Sequence, residues 1–131
     1  MTTAKDMFQS ANWKEEKHVP VIDCADKVTP NEVFHVNVSL GKEIAHPNTT
    51  EHHIRWIQVY FKPDDEKFTY HIGNFEFTAH GESVEGANAG PVYTHHSVIC
   101  EFKTSKPGTI IATSYCNIHG LWESSKEIKL A

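Results

Sequence analysis

The sequence predicts an all-β chain, an immunoglobulin-like antiparallel β-sandwich of about seven strands forming a single domain over residues 1–131. Three observations predict it. Apolar and polar side chains alternate with a period of two in several short runs, as in strands buried on one face. Clusters of Pro, Gly, Asn and Asp punctuate the chain between those runs. No segment carries a long apolar stripe at helical spacing, and many short strands with frequent turn signals argue for a sandwich.

Residues 1–17 are polar and weakly patterned, and 1–12 read as an N-terminal extension on the surface. In the next patterned run Phe34, Val36, Val38 and Leu40 alternate with His35, Asn37 and Ser39. The turn signal Thr29-Pro30-Asn31-Glu32 precedes it. Ile54 to Phe61 and Lys67 to Ile72 are rich in β-branched and aromatic residues, with Pro63-Asp64-Asp65 between them. Phe75 and Phe77 alternate with Glu76 and Thr78, and residues 86–91 then form a glycine-rich break. Val98, Cys100 and Phe102 alternate with Ile99, Glu101 and Lys103; Lys106-Pro107-Gly108 turns the chain into Thr109–Tyr115. Glu127–Leu130 reads as a last short edge strand. At most one helical turn is expected, around Thr49-Thr50-Glu51 or Asn117-Ile118-His119.

Composition narrows the function. The chain is long enough for one sizeable core. Twelve bases against seventeen acids give a net charge of −5, and Arg55 is the single arginine. An acidic chain without a basic run argues against nucleic acid as partner. No stretch approaches the roughly 18 apolar residues of a membrane span, so no membrane partner is expected. No apolar signal segment is visible at the N-terminus, and Cys24, Cys100 and Cys116 are few, odd in number and far apart. The expected setting is therefore a reducing cytoplasm with free thiols, Cys24 and Cys100 being inert.

Ten histidines are out of proportion. His35 and His71 lie in strand-like runs and are expected to face solvent or a polar partner. His80, His95 and His96 flank turns and are expected at the surface. His18, His46, His52 and His119 sit at strand ends or in loops, with His46 biased to an extended backbone by Pro47. Cys116-Asn117-Ile118-His119 is the sharpest local feature, because a thiolate and an imidazole three residues apart can grip one metal from a single turn. The pattern C-x-x-H recurs by chance, but histidines from two other loops strengthen it. Four imidazoles and a thiolate would be five ligands. Structural zinc takes four, usually with more cysteines. Calcium and magnesium want oxygen. Blue copper often adds an axial methionine, and the only two here, Met1 and Met7, lie in the loose N-terminal segment. Iron accepts five ligands and an open sixth position. Ferrous iron with this set carries a formal charge of about +1, which would attract a small anion.

Three segments carry a recognisable pattern: Glu16-Lys17-His18-Val19-Pro20-Val21-Ile22, His46-Pro47-Asn48-Thr49-Thr50-Glu51-His52-His53-Ile54 and Ser114-Tyr115-Cys116-Asn117-Ile118-His119-Gly120-Leu121-Trp122. Together they resemble the superoxide reductase family, that is, neelaredoxin and the iron-centre domain of desulfoferrodoxin. Phe77-Thr78-Ala79-His80-Gly81-Glu82-Ser83 and Val92-Tyr93-Thr94 match as well, so the resemblance spans roughly residues 12–123. It implies a β-sandwich holding one iron at one end, with His18, His46, His52 and His119 as equatorial ligands and Cys116 as the axial thiolate. The family pattern picks His52 over His53, and strand alternation independently keeps the two from facing one site. With three cysteines, and a start only a few residues before Trp13, the chain resembles the one-iron form rather than members with an added four-cysteine domain.

The resemblance implies one-electron reduction of superoxide to hydrogen peroxide, with iron cycling between Fe(II) and Fe(III). Rubredoxin or a similar small protein is the implied electron donor, and a homo-oligomer, commonly a tetramer, the implied assembly. Lys17 and Glu16 match the loop beside the open position. Lys17 is expected to steer superoxide and to help order water for proton delivery. Glu16 is expected to close onto ferric iron after turnover. Backbone N–H groups of Ile118 and His119 are candidates for tuning the sulfur. Two other classes remain open at this point: an electron-transfer metalloprotein without superoxide turnover, and a β-sandwich with a structural zinc. Colour separates the last, since a ferric thiolate is blue and zinc is colourless.

Overall fold

Alternation in Phe34–Ser39 puts Val36 and Val38 on one face, and the computed structural model, which describes residues 1–131, shows what that face meets. Eight strands form two sheets. In chain order they are β1 (Val21–Asp23), β2 (Lys27–Val28), β3 (Phe34–Ser39), β4 (Ile54–Pro63), β5 (Tyr70–Glu76), β6 (Ser97–Phe102), β7 (Gly108–Cys116) and β8 (Gly120–Leu130). One sheet has the order β1-β3-β6 and the other β2-β8-β7-β4-β5. Every pair is antiparallel except β2 with β8. Val36 and Val38 pack with Ile57 and Val59 of β4, Ile110 and Ala112 of β7 and Ile128 of β8, none of them exposed to solvent. Each such aliphatic side chain stabilises the fold by about 1.5–3 kcal/mol relative to exposure. This is the expected β-sandwich.

The elements depart from the expectation in four places. The runs at Lys67–Ile72 and Phe75–Phe77 are one strand, β5, which Phe77 leaves. The last strand begins at Gly120 rather than Glu127. Beyond β7 it pairs only with the two-residue β2 at its end and with Gln9 at Trp122, and Glu123, Ser124, Ser125 and Lys126 mask its pattern. β1 and β2 are too short to show a period. Neither proposed helical turn forms: residues 49–51 are bends and 117–119 a turn, and the single helix, α1 (Ala4–Met7), lies exposed in the N-terminal extension. No helix is long and apolar enough to cross a membrane.

Four chain ends meet at one pole of the sandwich. Ile54 at the start of β4 pairs with Cys116 at the end of β7, and Cys116 pairs with Gly120 at the start of β8. The turn between them closes on Gly120, whose φ of +83° favours glycine. The N-terminal extension reaches the same pole: Gln9 N–H donates to Leu121 O (3.1 Å), and Glu123 N–H donates to Gln9 O (2.9 Å). It then leads through residues 10–17 to His18, just before β1.

Candidate metal centre

The β7–β8 turn sets the first two side chains. Cys116 is buried, and its Sγ accepts from the His119 backbone N–H at 3.4 Å. His119 Nδ1 stands 3.8 Å from the same sulfur, while its other edge is exposed. The His119 carbonyl accepts from Trp122 Nε1–H (3.2 Å), and the Trp122 indole stacks on the His18 ring at 5.3 Å and 19°. His18 is held twice more. Ser114 Oγ–H donates to its carbonyl (3.3 Å), and Glu16 Oε1 accepts from both its Nδ1 (2.6 Å) and its backbone N (3.1 Å). Of the two N–H groups expected at the sulfur, the structure places that of His119 there.

The other two imidazoles come from the strandless segment 46–53. His46 Nδ1 bonds the carbonyl of Pro47 at 2.6 Å. His52 is set by a tight local turn: its N–H donates to Thr49 Oγ1 (3.0 Å), and Thr49 N–H donates to its carbonyl (2.9 Å). Asn117 ties this segment to the turn. It accepts from His53 N–H (2.9 Å), donates its amide to Glu51 O (2.9 Å) and donates its backbone N–H to His53 O (3.2 Å). Neither Asn117 nor Trp122 was singled out from sequence, although Asn117 lies inside the C-x-x-H turn and carries both a donor and an acceptor.

The four rings form a cycle. Centroids are 5.0 Å apart for His18–His46, 4.9 Å for His46–His52, 5.0 Å for His52–His119 and 4.4 Å for His119–His18. Donor atoms of His18, His52, Cys116 and His119 all lie within 4.8 Å of one another. Nitrogens facing each other across one metal, with bonds of about 2.1 Å, stand about 4.2 Å apart. His46 lies outside that tightest set and completes the cycle opposite His119.

Three unpartnered atoms test whether a metal fits. Nε2 of His18, His46 and His52 are each buried with no hydrogen-bond partner. A buried, unsatisfied polar atom costs about 1–3 kcal/mol, and a bound cation removes that cost. The outward nitrogens of His18 and His46 face a carboxylate and a carbonyl, which only accept. Their Nδ1 atoms therefore carry the protons, and their Nε2 lone pairs are left for a metal. Burial pushes His46 down to about 3. It also lowers His52, and lowers His18 despite Glu16, so these rings stand in the neutral state that ligation needs. Four imidazole nitrogens and a sulfur suit iron better than a closed four-coordinate zinc.

The remaining histidines divide differently from the expectation. His35 and His71 are exposed, as is His95. His80 and His96, expected at the surface, are buried, with 3% and 6% exposure. Both flank turns that fold inward at the pole. His96 meets His46 edge-on at 5.7 Å, and His80 stacks on His53 at 3.5 Å and 5°. His53 thus faces away from His52, as alternation requires. Burial pushes both the Cys24 and Cys100 thiols up, consistent with inert cysteines.

Lys17 and Glu16 flank the pole. With Glu15, His18, Ile44, His119 and Trp122 they line an open concavity of about 420 Å³. Desolvation opposes ionisation of Glu16, but the bonds from His18 and the charge of Lys17 hold its carboxyl below the usual range. The carboxylate sits on the outward nitrogen of His18.

Residues 10–125 match the family model described as Desulfoferrodoxin. The chain belongs to the desulfoferrodoxin family. It is 64% identical to a neelaredoxin from Megalodesulfovibrio gigas, covering 95% of this chain and 96% of that one. It is 54% identical to a superoxide reductase from Pyrococcus furiosus, covering 91% of this chain and 94% of that one. A solved superoxide reductase (neelaredoxin) from Archaeoglobus fulgidus in the reduced form superposes with a TM-score of 0.88 at 52% identity, covering 95% of this chain and 99% of that one.

Proposed function

We propose that this chain is a superoxide reductase, converting superoxide, one electron and two protons to hydrogen peroxide. The observation that carries the reading is the convergence of His18, His52, Cys116 and His119 within 4.8 Å, with His46 completing the cycle of rings. These five residues would hold one iron in a single-domain chain. Iron bound there supplies the electron for superoxide, and a small one-electron carrier of the rubredoxin kind restores it.

The protein's own groups do the rest. Lys17 places a cation on the concavity of a chain with a net charge of −5, which draws a small anion to this pole. Its ammonium can also order water there for proton delivery. Glu16 holds the His18 ring and raises its basicity through Nδ1. The sixth-ligand role expected from sequence would require its carboxylate to give up that 2.6 Å bond. The His119 N–H donates to the sulfur and so can tune how strongly it binds a metal.

The test is iron analysis, a visible spectrum and superoxide consumption on purified protein. One iron per chain, a blue oxidised form that bleaches on reduction, and peroxide formed without O2 release are expected. A colourless zinc protein would refute the reading. A blue protein inert to superoxide would leave only electron transfer.

A further inference from the structure

The segment 46–53 supplies two of the five proposed ligands without a strand to fix it, so something else must. Asn117 grips one side of it. The opposite side faces a hairpin-like arch, residues 77–94, to which the proposed chemistry assigns no part. The arch is anchored to the frame. β4 begins with a register shift between Ile54 and Trp56, which leaves Arg55 outside the ladder to β7. On the other edge of β4, in register with the pair Trp56–Glu76, the Arg55 carbonyl accepts from Phe77 N–H at 2.8 Å. The two arms of the arch close on each other: Thr94 N–H donates to Ala79 O (2.7 Å), Gly81 N–H donates to Val92 O (3.0 Å), and His80 pairs with Tyr93. Gly81 has a φ of +83°, which favours glycine, and a Cβ there would also meet the Tyr93 ring.

The arch meets the ligand segment at two places: Asn88, which accepts from Thr50 N–H (2.8 Å) and donates its backbone N–H to Thr50 Oγ1 (3.1 Å) and its amide to Glu51, and His80. His80 lays its ring flat on His53, the neighbour of His52. Its carbonyl accepts from Thr50 Oγ1–H at 2.7 Å. Its Nδ1 is 3.3 Å from Asn48 Oδ1, and the Asn48 amide donates to Thr94 O at 3.0 Å. The ring is itself locked, since Nε2–H donates to Phe77 O (2.7 Å) and the backbone N–H donates to Glu82 Oε1 (2.6 Å). Asn48 and Thr50 lie between His46 and His52, so the contacts fall on the span that sets the spacing of those two imidazoles. His80 is 3% exposed but does not belong to the apolar core; each of its bonds runs to the segment or to the arch.

We propose that His80 is a positioning residue for the iron site: through the arch it holds the span between His46 and His52 at the spacing one metal ion needs. The inference rests on the metal reading above. Rigid support of this kind raises affinity because the ligands need not be ordered when the ion binds.

Iron retention tests it independently of turnover. Wild type, His80→Ala, His80→Phe and Thr50→Val are loaded with Fe(II), and iron loss to a chelator is timed. The resting ferric spectrum and the apo-protein melting temperature are recorded alongside. Ile128→Ala, in the core far from the pole, serves as a control for lost stability alone. His80→Ala is expected to lose iron roughly ten- to a hundredfold faster and to shift the ferric band. His80→Phe, which keeps a flat ring against His53, should fall between it and wild type. Thr50→Val removes the bond to the His80 carbonyl, and with it the one Thr50 Oγ1 accepts from Asn88 N–H, while keeping the volume, so it tests the hold of the arch on the segment should His80→Ala not fold, with His80→Phe then testing the ring. Wild-type iron loss in the folded variants, or loss no faster than in Ile128→Ala at matched melting temperature, overturns the proposal. A wild type that holds no iron would instead overturn the metal reading.

Discussion

The two places that supply four of the five proposed ligands are built in opposite ways. Cys116 and His119 sit on a turn whose ends are registered by a strand ladder, with Cys116 opposite Gly120 and eight further residue pairs along β7 and β8 behind it. His46 and His52 sit on a segment with no ladder at all, set by Thr49, Asn117 and the arch around His80. Backbone pairing gives the turn its geometry from the fold itself. The segment depends on side-chain amides, hydroxyls and one ring, each removable by one substitution. Iron affinity should therefore be sensitive to distant changes on the segment's side and insensitive to them on the turn's side.

The largest effect is expected where the turn contributes chemistry rather than geometry. Cys116→Ser removes the only sulfur within reach of the cycle of rings, so the blue charge-transfer band and most superoxide consumption should vanish. The ladder should keep the fold intact, which a melting curve would verify. Cys24→Ser and Cys100→Ser should leave colour and rate unchanged, because both side chains lie in or against the core and not at the pole. Colour lost in either control would mean that the thiolate has been misplaced.

A smaller effect is expected where the segment is tied to the turn. Asn117→Ala deletes the bonds to His53 N–H and Glu51 O but keeps the main-chain bond to His53 O. Leaving one buried partner unsatisfied costs about 1–3 kcal/mol, and 1.4 kcal/mol is about tenfold in an equilibrium. Iron affinity should fall by about tenfold or more, with the proposed ligands all still present. Chelator competition measures it, and unchanged affinity would show that the turn and the segment are held independently.

The same contrast explains what could be read from sequence. β3 and the central strands β4 and β7 were legible because burial forces their patterns. The turn was legible from spacing alone, since Cys116 and His119 are three residues apart and Gly120 ends the motif. His46 and His52 gave a weaker signal. Their place in loops, with Pro47 after His46, made them candidates, but no spacing ties them to each other or to the turn, and the resemblance of whole segments marked them as ligands. His80 and His96 were misjudged because residues beside turns are usually solvated, whereas at this pole the turns fold over the ligand segment. The first half of β8 was hidden because the polar run Glu123, Ser124, Ser125 and Lys126 breaks its alternation.

The smallest effects separate the two residues of the concavity. Lys17 faces solvent with no carboxylate bound to it, so its charge acts through space. Lys17→Ala should slow the second-order step with superoxide by about tenfold, equal to about 1.4 kcal/mol of barrier. It should also flatten the dependence on ionic strength, because salt screens the charge that has been removed. Glu16 acts on His18 through a 2.6 Å bond. Glu16→Gln keeps an oxygen that can accept from Nδ1 but removes the negative charge. The ring then stays oriented while its basicity falls, and one anion fewer stands near the approach of superoxide. These consequences oppose each other, so the superoxide step should stay within about twofold, under 0.5 kcal/mol of barrier. The ferric spectrum should still shift, because it reports how strongly His18 donates. Stopped-flow kinetics on both variants decides between the roles. A tenfold loss in Glu16→Gln with Lys17→Ala at the wild-type rate would mean that His18 orientation, and not attraction of the anion, limits the step.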